Sequence, residues 1–242
     1  MVRQNDNCQK INRRLLVDLT RGTKFKEVPY IVPKFKKFCA DIKQQPLEDY
    51  AEDLDPDLTI QEALEVNPSC VTFLAKKLLA EDSGPDDDNY IVIKFARRYN
   101  KEAHVMMGEL GFALKLLGYC PLRDGESPYD NLVLLAMEYV EGGTLYEQYE
   151  NRVLPTHVKR DVQEALQVLN GAGYIFADLR RPNLIVRESD GKVLLIDFDW
   201  VCRVDGGMRY PFHLSQDVKD RSGAKDNEVI SLKHQEGMFE KL

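Results

Sequence analysis

Phe176-Ala177-Asp178-Leu179-Arg180-Arg181-Pro182-Asn183 is followed, fourteen residues after its last amide, by Asp197-Phe198-Asp199-Trp200. Asp178 and Asn183 stand five apart with a proline between them, which is the texture of a loop. Asp197 closes the apolar run Leu194-Leu195-Ile196, which reads as a strand. An Asp, an Asn and a second Asp in this order suit phosphoryl transfer from a magnesium nucleotide. One carboxylate orients the attacking hydroxyl, while the amide and the second carboxylate hold the metal on the phosphates. Oxygen donors match Mg2+, and no histidine cluster competes for another metal. Either stretch alone reads equally well as an Asx-rich turn. The two together, downstream of a lysine set in a strand, point to a nucleotide.

That lysine is Lys94, inside Tyr90-Ile91-Val92-Ile93-Lys94-Phe95. A lysine among β-branched neighbours is costly to bury unless an anion meets it. Glu102, eight residues on, is such an anion; a lysine pointing from an edge strand into water is the alternative. Strands are expected at Val71–Leu79 and Tyr90–Phe95, joined by a turn over Glu81–Asn89. Two more are expected at Ala113–Tyr119 and Leu132–Met137. Ala103, Met106, Met107 and Leu110 mark one face of a helix over 100–110. A second helix is expected over 157–170, ended by Gly171 and Gly173, and then a hairpin of Leu184–Val186 with Val193–Ile196 around Ser189-Asp190-Gly191. Strands with one helix come first and a more helical part follows, so the class is α+β with two lobes.

The 242 residues carry a net charge of -7. Residues 1–46 hold eleven basic and four acidic side chains, whereas 47–90 hold two and thirteen. The acidic stretch can neutralise the basic arm within the molecule, and aromatic side chains do not interleave with the basic ones, so nucleic acid is not expected as a partner. No run approaches 18 apolar residues and the first twenty are polar, so a membrane span and a signal peptide are not expected. Five scattered cysteines without a C-x-x-C pair argue against disulfides and structural zinc, and place the chain in the cytoplasm or nucleus. Residues 1–66 read as a mostly helical extension, with Thr59-Ile60-Gln61-Glu62 as a capping box at a helix start. Asp53, Asp55 and Asp57 mimic a calcium loop, but Leu58 and Leu64 stand where it needs glycine and glutamate.

The chain resembles the protein-kinase-like superfamily, and in particular the small kinase-like proteins of basidiomycete fungi. The likeness is carried by Ile93-Lys94, by Tyr99-Asn100-Lys101-Glu102-Ala103-His104, by the 176–183 loop and by Asp197-Phe198-Asp199-Trp200, and it covers roughly residues 70–213. It implies a kinase-like domain over 67–242, with one lobe over 67–140 and a short second lobe over 141–242. It also implies ATP and Mg2+, with a hydroxyl of a protein Ser/Thr or of a small molecule as acceptor. By this resemblance Lys94 holds the α- and β-phosphates with Glu102 as its ion-pair partner, and Met137 is the gatekeeper. Glu138-Tyr139-Val140 is the hinge whose backbone bonds adenine, and Glu141-Gly142-Gly143-Thr144-Leu145 starts the second lobe. Asp178 is then the catalytic base, Arg180 a contact to the transferred phosphate, and Asn183 and Asp197 the metal ligands.

Three departures bear on activity. No glycine lies between Gly22 and Gly84, so no glycine-rich loop precedes Lys94; Asn67-Pro68-Ser69-Cys70 is the candidate substitute. Phe176-Ala177 stands where protein kinases have His-Arg, which removes the arginine that reads a phosphorylated activation loop. Asp199 replaces the glycine of Asp-Phe-Gly, and only 43 residues follow it, so a truncated second lobe is expected. Two readings follow: an ATP- and Mg2+-dependent phosphotransferase, or a pseudokinase that keeps the fold and acts through partners, the N-terminal extension offering a docking segment. Arg209-Tyr210-Pro211-Phe212 matches the fungal proteins without an evident mechanism. His104, His157, His213 and His234 are expected to be structural or solvated, and 227–242 to pack or dock.

Overall fold

The computed structural model describes residues 58–63, 72–77, 90–121, 132–150 and 152–242. They fall into two compact units, one of residues 58–97 and 116–139, the other of 98–115 and 140–242.

The first unit is an antiparallel sheet. Its strands are β1 (Leu58–Ala63), β2 (Thr72–Lys77), β3 (Tyr90–Ala96), β4 (Leu116–Pro121) and β5 (Val133–Glu138), in the order β1-β2-β3-β5-β4. Strand β3 is central, and every residue from Ile91 to Ala96 is buried, Lys94 among them, as a central strand's apolar neighbours require. Side chains alternate across the pleat. Phe73, Ile93, Phe95, Leu134 and Ala136 therefore share one face, where Phe73 meets Phe95 edge-on at 6.5 Å. The other face carries Val92, Lys94, Leu135 and Met137. Lys94 pairs with Leu135, and Val92 with Met137, so the lysine and the expected gatekeeper lie on the same side.

Residues 58–63, expected to open a helix, form a strand instead. β1 pairs with β2 from Leu58↔Lys77 to Ala63↔Phe73, with a bulge between Ile60 and Glu62. A capping box is a local preference of about 1 kcal/mol, and a ladder of backbone hydrogen bonds to β2 outweighs it. The rest of the expected extension, the turn 81–89 and the Asn67–Cys70 segment lie outside the described residues.

The second unit begins with α1 (Lys101–Glu109). Asn100 caps it by accepting the Ala103 N–H at 3.0 Å, and Glu102 sits in the first turn, where the helix dipole favours an anion. Gly111, at φ 74°, stops the helix with a left-handed turn. Ala103 and Met107 are buried as the stripe predicts; Leu110 is the C-cap and stays exposed. The expected strand 113–119 is split. Ala113 bridges to Leu195 in the second unit, and only from Leu116 does the chain join the sheet of the first.

Then follow β6 (Gly142–Thr144), α2 (Leu145–Tyr149), α3 (Thr156–Gly171), β7 (Tyr174–Phe176), β8 (Leu184–Arg187), β9 (Val193–Leu195), β10 (Val201–Arg203), α4 (Gln216–Ser222) and α5 (Leu232–Glu240). Helix α3 buries Val158, Val162, Ala165, Leu166 and Leu169 along one stripe against β7 and β9. Each fully buried Leu or Val there contributes about 1.5–3 kcal/mol. Strands β6-β8-β9 form one small antiparallel sheet and β7-β10 another. Gly142 permits the first: a Cβ there would lie 2.1 Å from the Val186 carbonyl oxygen, at a φ of +152° closed to other residues. Thr144 and Glu147 then close a capping box at the start of α2. Residues 227–242 turn helical only from Leu232, because 228–230 pair in extended form with 208–210 through Tyr210 N–H to the Glu228 carbonyl and Ile230 N–H to the Met208 carbonyl.

Candidate active site

The Asp178 loop leaves β7, whose three residues are all buried. It is held from three sides. The Phe176 N–H donates to Gln235 Oε1 on α5 at 2.7 Å, the Ala177 N–H donates to the Trp200 carbonyl at 3.2 Å, and the Tyr210 hydroxyl donates to the Ala177 carbonyl at 3.3 Å. Gln235 is 2% exposed and passes the tie on, its amide donating to Asn170 Oδ1 at 3.1 Å. Buried amides and carbonyls need such partners, so the loop backbone has little room to shift.

Within the loop Asp178 is buried and doubly held. Arg180 donates to both its carboxylate oxygens, Nε to Oδ1 at 2.5 Å and Nη2 to Oδ2 at 2.7 Å. This is the bidentate fork that guanidinium geometry favours. Burial works against the Arg180 charge, but the bond to Asp178 and the charges of Asp178, Asp217 and Asp197 overcome it and raise its pKa above the ordinary value. Asn183 Nδ2 donates to the Asp178 carbonyl at 2.8 Å and to its Oδ2 at 3.0 Å. Arg181 turns the other way, donating to the carbonyls of Tyr149, Glu150 and Leu242.

Asp197 is delivered from the opposite strand of the β8–β9 hairpin. The Ile196 N–H donates to the Asn183 carbonyl at 3.0 Å, so the residue before Asp197 is bonded to the residue that carries the amide. Asp197 has φ 68° and ψ 76°, the left-handed region that a non-glycine side chain occupies only at a cost. Its Oδ1 accepts the Asp199 N–H at 3.2 Å and starts a 3-10 turn over Phe198–Trp200. Tyr99 lies near both acids, and its pKa is raised well above the usual tyrosine value by burial, then by the charges of Asp199 and Asp197.

Asn183 is 7% exposed, and its Oδ1 accepts no hydrogen bond among the described residues. A buried carbonyl oxygen with nothing to accept, at the start of the strand whose hairpin partner leads into Asp197, fits a hard cation. Among the described residues no group of three or more His, Cys, Asp or Glu could hold a metal unaided. Two protein oxygens with water and phosphate completing the shell is how Mg2+ is commonly held.

The structure therefore brings Asp178, Arg180, Asn183 and Asp197 to one place in the second unit. Lys94 (6% exposed), Glu138 and Tyr139 belong to the first, where Tyr139 meets Tyr90 edge-on at 5.8 Å. Val140 begins the second unit's main stretch. Glu102 is exposed and accepts from the Tyr174 hydroxyl on β7 at 3.4 Å. Sequence reasoning missed Gln235, which no local pattern marks. It noticed Tyr210 in Arg209-Tyr210-Pro211-Phe212 without seeing its use: Tyr210 stacks on Trp200 at 6.2 Å and bonds the loop. A cavity of about 160 Å3 opens beside Asp178, walled by Arg180, Trp200, Tyr210, Leu214 and Ser215.

No protein-family model matches the chain. Protein kinase PINOID 2 of Arabidopsis thaliana is 32% identical over 149 residues, which is 55% of this chain and 28% of that protein. Serine/threonine-protein kinase KIPK1 of the same plant is 36% identical over 95 residues, 36% of this chain and 10% of that protein. The chain thus spans less than a third of the length of either relative. Among solved structures, the Cydia pomonella granulovirus kinase PK-1 superposes with a TM-score of 0.53 at 16% identity, over 75% of this chain and 65% of that one. The mixed helix-and-sheet fold is protein-kinase-like. Among the described residues no helix is long and apolar enough to cross a membrane.

Proposed function

We propose that the chain is a phosphotransferase that moves the γ-phosphate of ATP to a hydroxyl, with Mg2+ as cofactor. The observation that supports it is the single hydrogen-bonded cluster of Asp178, Arg180 and Asn183, tied through the Ile196 amide to Asp197. Asp178 accepts the proton of the acceptor hydroxyl as its oxygen attacks phosphorus. Arg180, released from one Asp178 oxygen, bonds the transferred phosphoryl group as the bond to the ADP oxygen breaks. Asn183 Oδ1 and the Asp197 carboxylate would hold the metal, which would supply neutralisation of the charge that builds on the phosphate oxygens.

The first unit is assigned the nucleotide's other contacts. Lys94 pairs with the α- and β-phosphates, Glu102 balances that lysine's charge, and the backbone of Glu138, Tyr139 and Val140 bonds adenine. Of the plant relatives named above, PINOID 2 is a protein kinase and KIPK1 a serine/threonine-protein kinase, which supports a protein Ser/Thr as acceptor; a small-molecule hydroxyl is the other class, and the motif likeness to basidiomycete kinase-like proteins is part of this reading.

One observation favours a second reading, a pseudokinase that binds partners without efficient transfer. Both Asp178 oxygens are already engaged by Arg180 and Asn183. Transfer of 32P from labelled ATP to water or to a panel of protein and small-molecule acceptors separates the two. A general base contributes about 10²–10⁴-fold, so Asp178→Ala should lower transfer by that factor while the fold persists. Equal rates in the wild type and the variant would remove Asp178 from the chemistry.

A further inference from the structure

The guanidinium of Arg180 is shared between two acids. Its Nε and Nη2 edge forks Asp178, and its remaining nitrogen, Nη1, faces Asp217 Oδ2 at 3.6 Å. That separation makes an ion pair but is too long for a hydrogen bond. The other Asp217 oxygen accepts from Arg221 Nε at 2.7 Å. Asp217 and Arg221 stand four apart on α4, the spacing at which an acid and a base meet on one helix face. Four charges of alternating sign therefore run from α4 to the loop: Arg221, Asp217, Arg180 and Asp178. Helix α4 holds its end of this row in place. Ser215 caps it by accepting the Val218 N–H, Val218 and Ser222 are buried, and Lys219 pairs with Asp226 at 2.7 Å.

In this arrangement the close bonds join Arg180 to Asp178 and Arg221 to Asp217, and both oxygens of the proposed base are engaged, Oδ2 also by Asn183. A general base needs an oxygen open to the hydroxyl it deprotonates. Arg180 can release one only if its charge is balanced elsewhere, because a partly buried guanidinium is costly without an anion. Asp217 supplies that balance from the protein's side, and it gains a hydrogen bond when Arg180 turns towards it. Arg221 opposes the turn, since it competes with Arg180 for the same carboxylate. We propose that Asp217 is a positioning residue: it draws Arg180 off Asp178 and so opens the base, while Arg221 holds Asp217 back. This rests on the reading of Asp178 as the base. All three pairs are partly exposed, so the two arrangements lie close in free energy. Removing one charge of a partly exposed pair shifts such a balance by about fivefold.

The test compares the full chain with Asp217→Asn, Asp217→Glu and Arg221→Gln. Glutamine keeps a donor for the Lys241 carbonyl, which Arg221 Nη1 bonds at 3.0 Å. The Arg180 Nε–H, donated to Asp178, is followed by 15N NMR without nucleotide and assigned from its absence in Arg180→Lys. Its exchange with water should slow by about fivefold in Asp217→Asn and quicken by about as much in Arg221→Gln. Asp217→Glu should stay near the wild-type rate. In transfer of 32P from ATP, kcat should fall by about fivefold in Asp217→Asn and rise in Arg221→Gln, with KM for ATP unchanged in both. A merely structural role for the α4 ion pair predicts the same sign for both, because each variant breaks the same Asp217–Arg221 bond. Equal exchange rates in the wild type and both variants, or shifts of one sign in both, overturn the proposal whatever the transfer rates. Exchange rates that part as expected, with kcat unmoved in a protein whose Asp178→Ala variant has lost transfer, sink this proposal alone. If Asp178→Ala and the wild type transfer alike, the base reading fails and the proposal falls with it.

Discussion

Asp190 shows how a single exposed acid fastens a turn. It sits in the turn between β8 and β9, where Arg187 grips both its oxygens at 2.9 and 2.7 Å and the Lys192 N–H donates to one of them at 3.1 Å. The Arg187 hydrogen bond, then the Lys192 backbone bond, lower its pKa to about 2. An unfolded aspartate titrates near about 3.9. The folded value is the lower one, so the stabilisation is present above pH about 4 and is lost as the pH falls through about 2. Urea midpoints at pH 7 should therefore be lower for Asp190→Asn than for the wild type, and most of the gap should be gone by pH 2. A gap as large at pH 2 as at pH 7 would mean that the turn matters and the charge does not. Asp197 itself was legible as a residue type. Its left-handed backbone was not, because the residues that contact its neighbour Phe198, Asn100 and His104, lie almost a hundred positions earlier in the chain.

At the level of elements, α5 is a brace and not a tail. Gln235 reaches from it to the Phe176 N–H and to Asn170 at the end of α3, so one side chain ties three elements. Beside it His234 packs against Tyr210 at 5.5 Å and accepts the Ser231 N–H at 3.3 Å. Gln235→Leu would leave the Phe176 N–H and the Asn170 side chain without this partner, at about 1–3 kcal/mol. The expected result is a lower urea midpoint with an unchanged slope, and weaker phosphate transfer as the Asp178 loop loosens. Wild-type stability in that variant would show that water or another group replaces the amide. The apolar stripe of α1 and the largely apolar strand β3 around Lys94 were legible in advance, because burial leaves a pattern in the sequence. Strand β1 was misread: a four-residue cap pattern has no means of reporting that β2 offers a ladder.

For the whole molecule, the decisive quantity is whether nucleotide binding is linked to folding. A ligand that binds only the folded state, at about 100 times its dissociation constant, adds about 2.7 kcal/mol. For a chain of this size that is a rise of about 2–4 °C in the unfolding temperature. ADP with Mg2+ should give such a rise in the wild type. Asp197→Asn should keep the metal-free part and lose the Mg2+-dependent part. Absence of any shift in the wild type would leave the kinase-like fold standing and move the second reading, the binding module, to the front.

The order of chemical groups was decided by the sequence alone: a strand lysine, an amide and two carboxylates at spacings that suit a loop and a strand end. Those depend on local propensity and periodicity, which are written residue by residue. What only the tertiary structure decided is how the groups are held. The Arg180 fork on Asp178, the Gln235 tie on Phe176 and the His104 stack on Phe198 join residues through hydrogen bonds and ring contacts. The last two span 59 and nearly a hundred positions of chain. Those two leave no local period, because their geometry is set only once separate elements have packed.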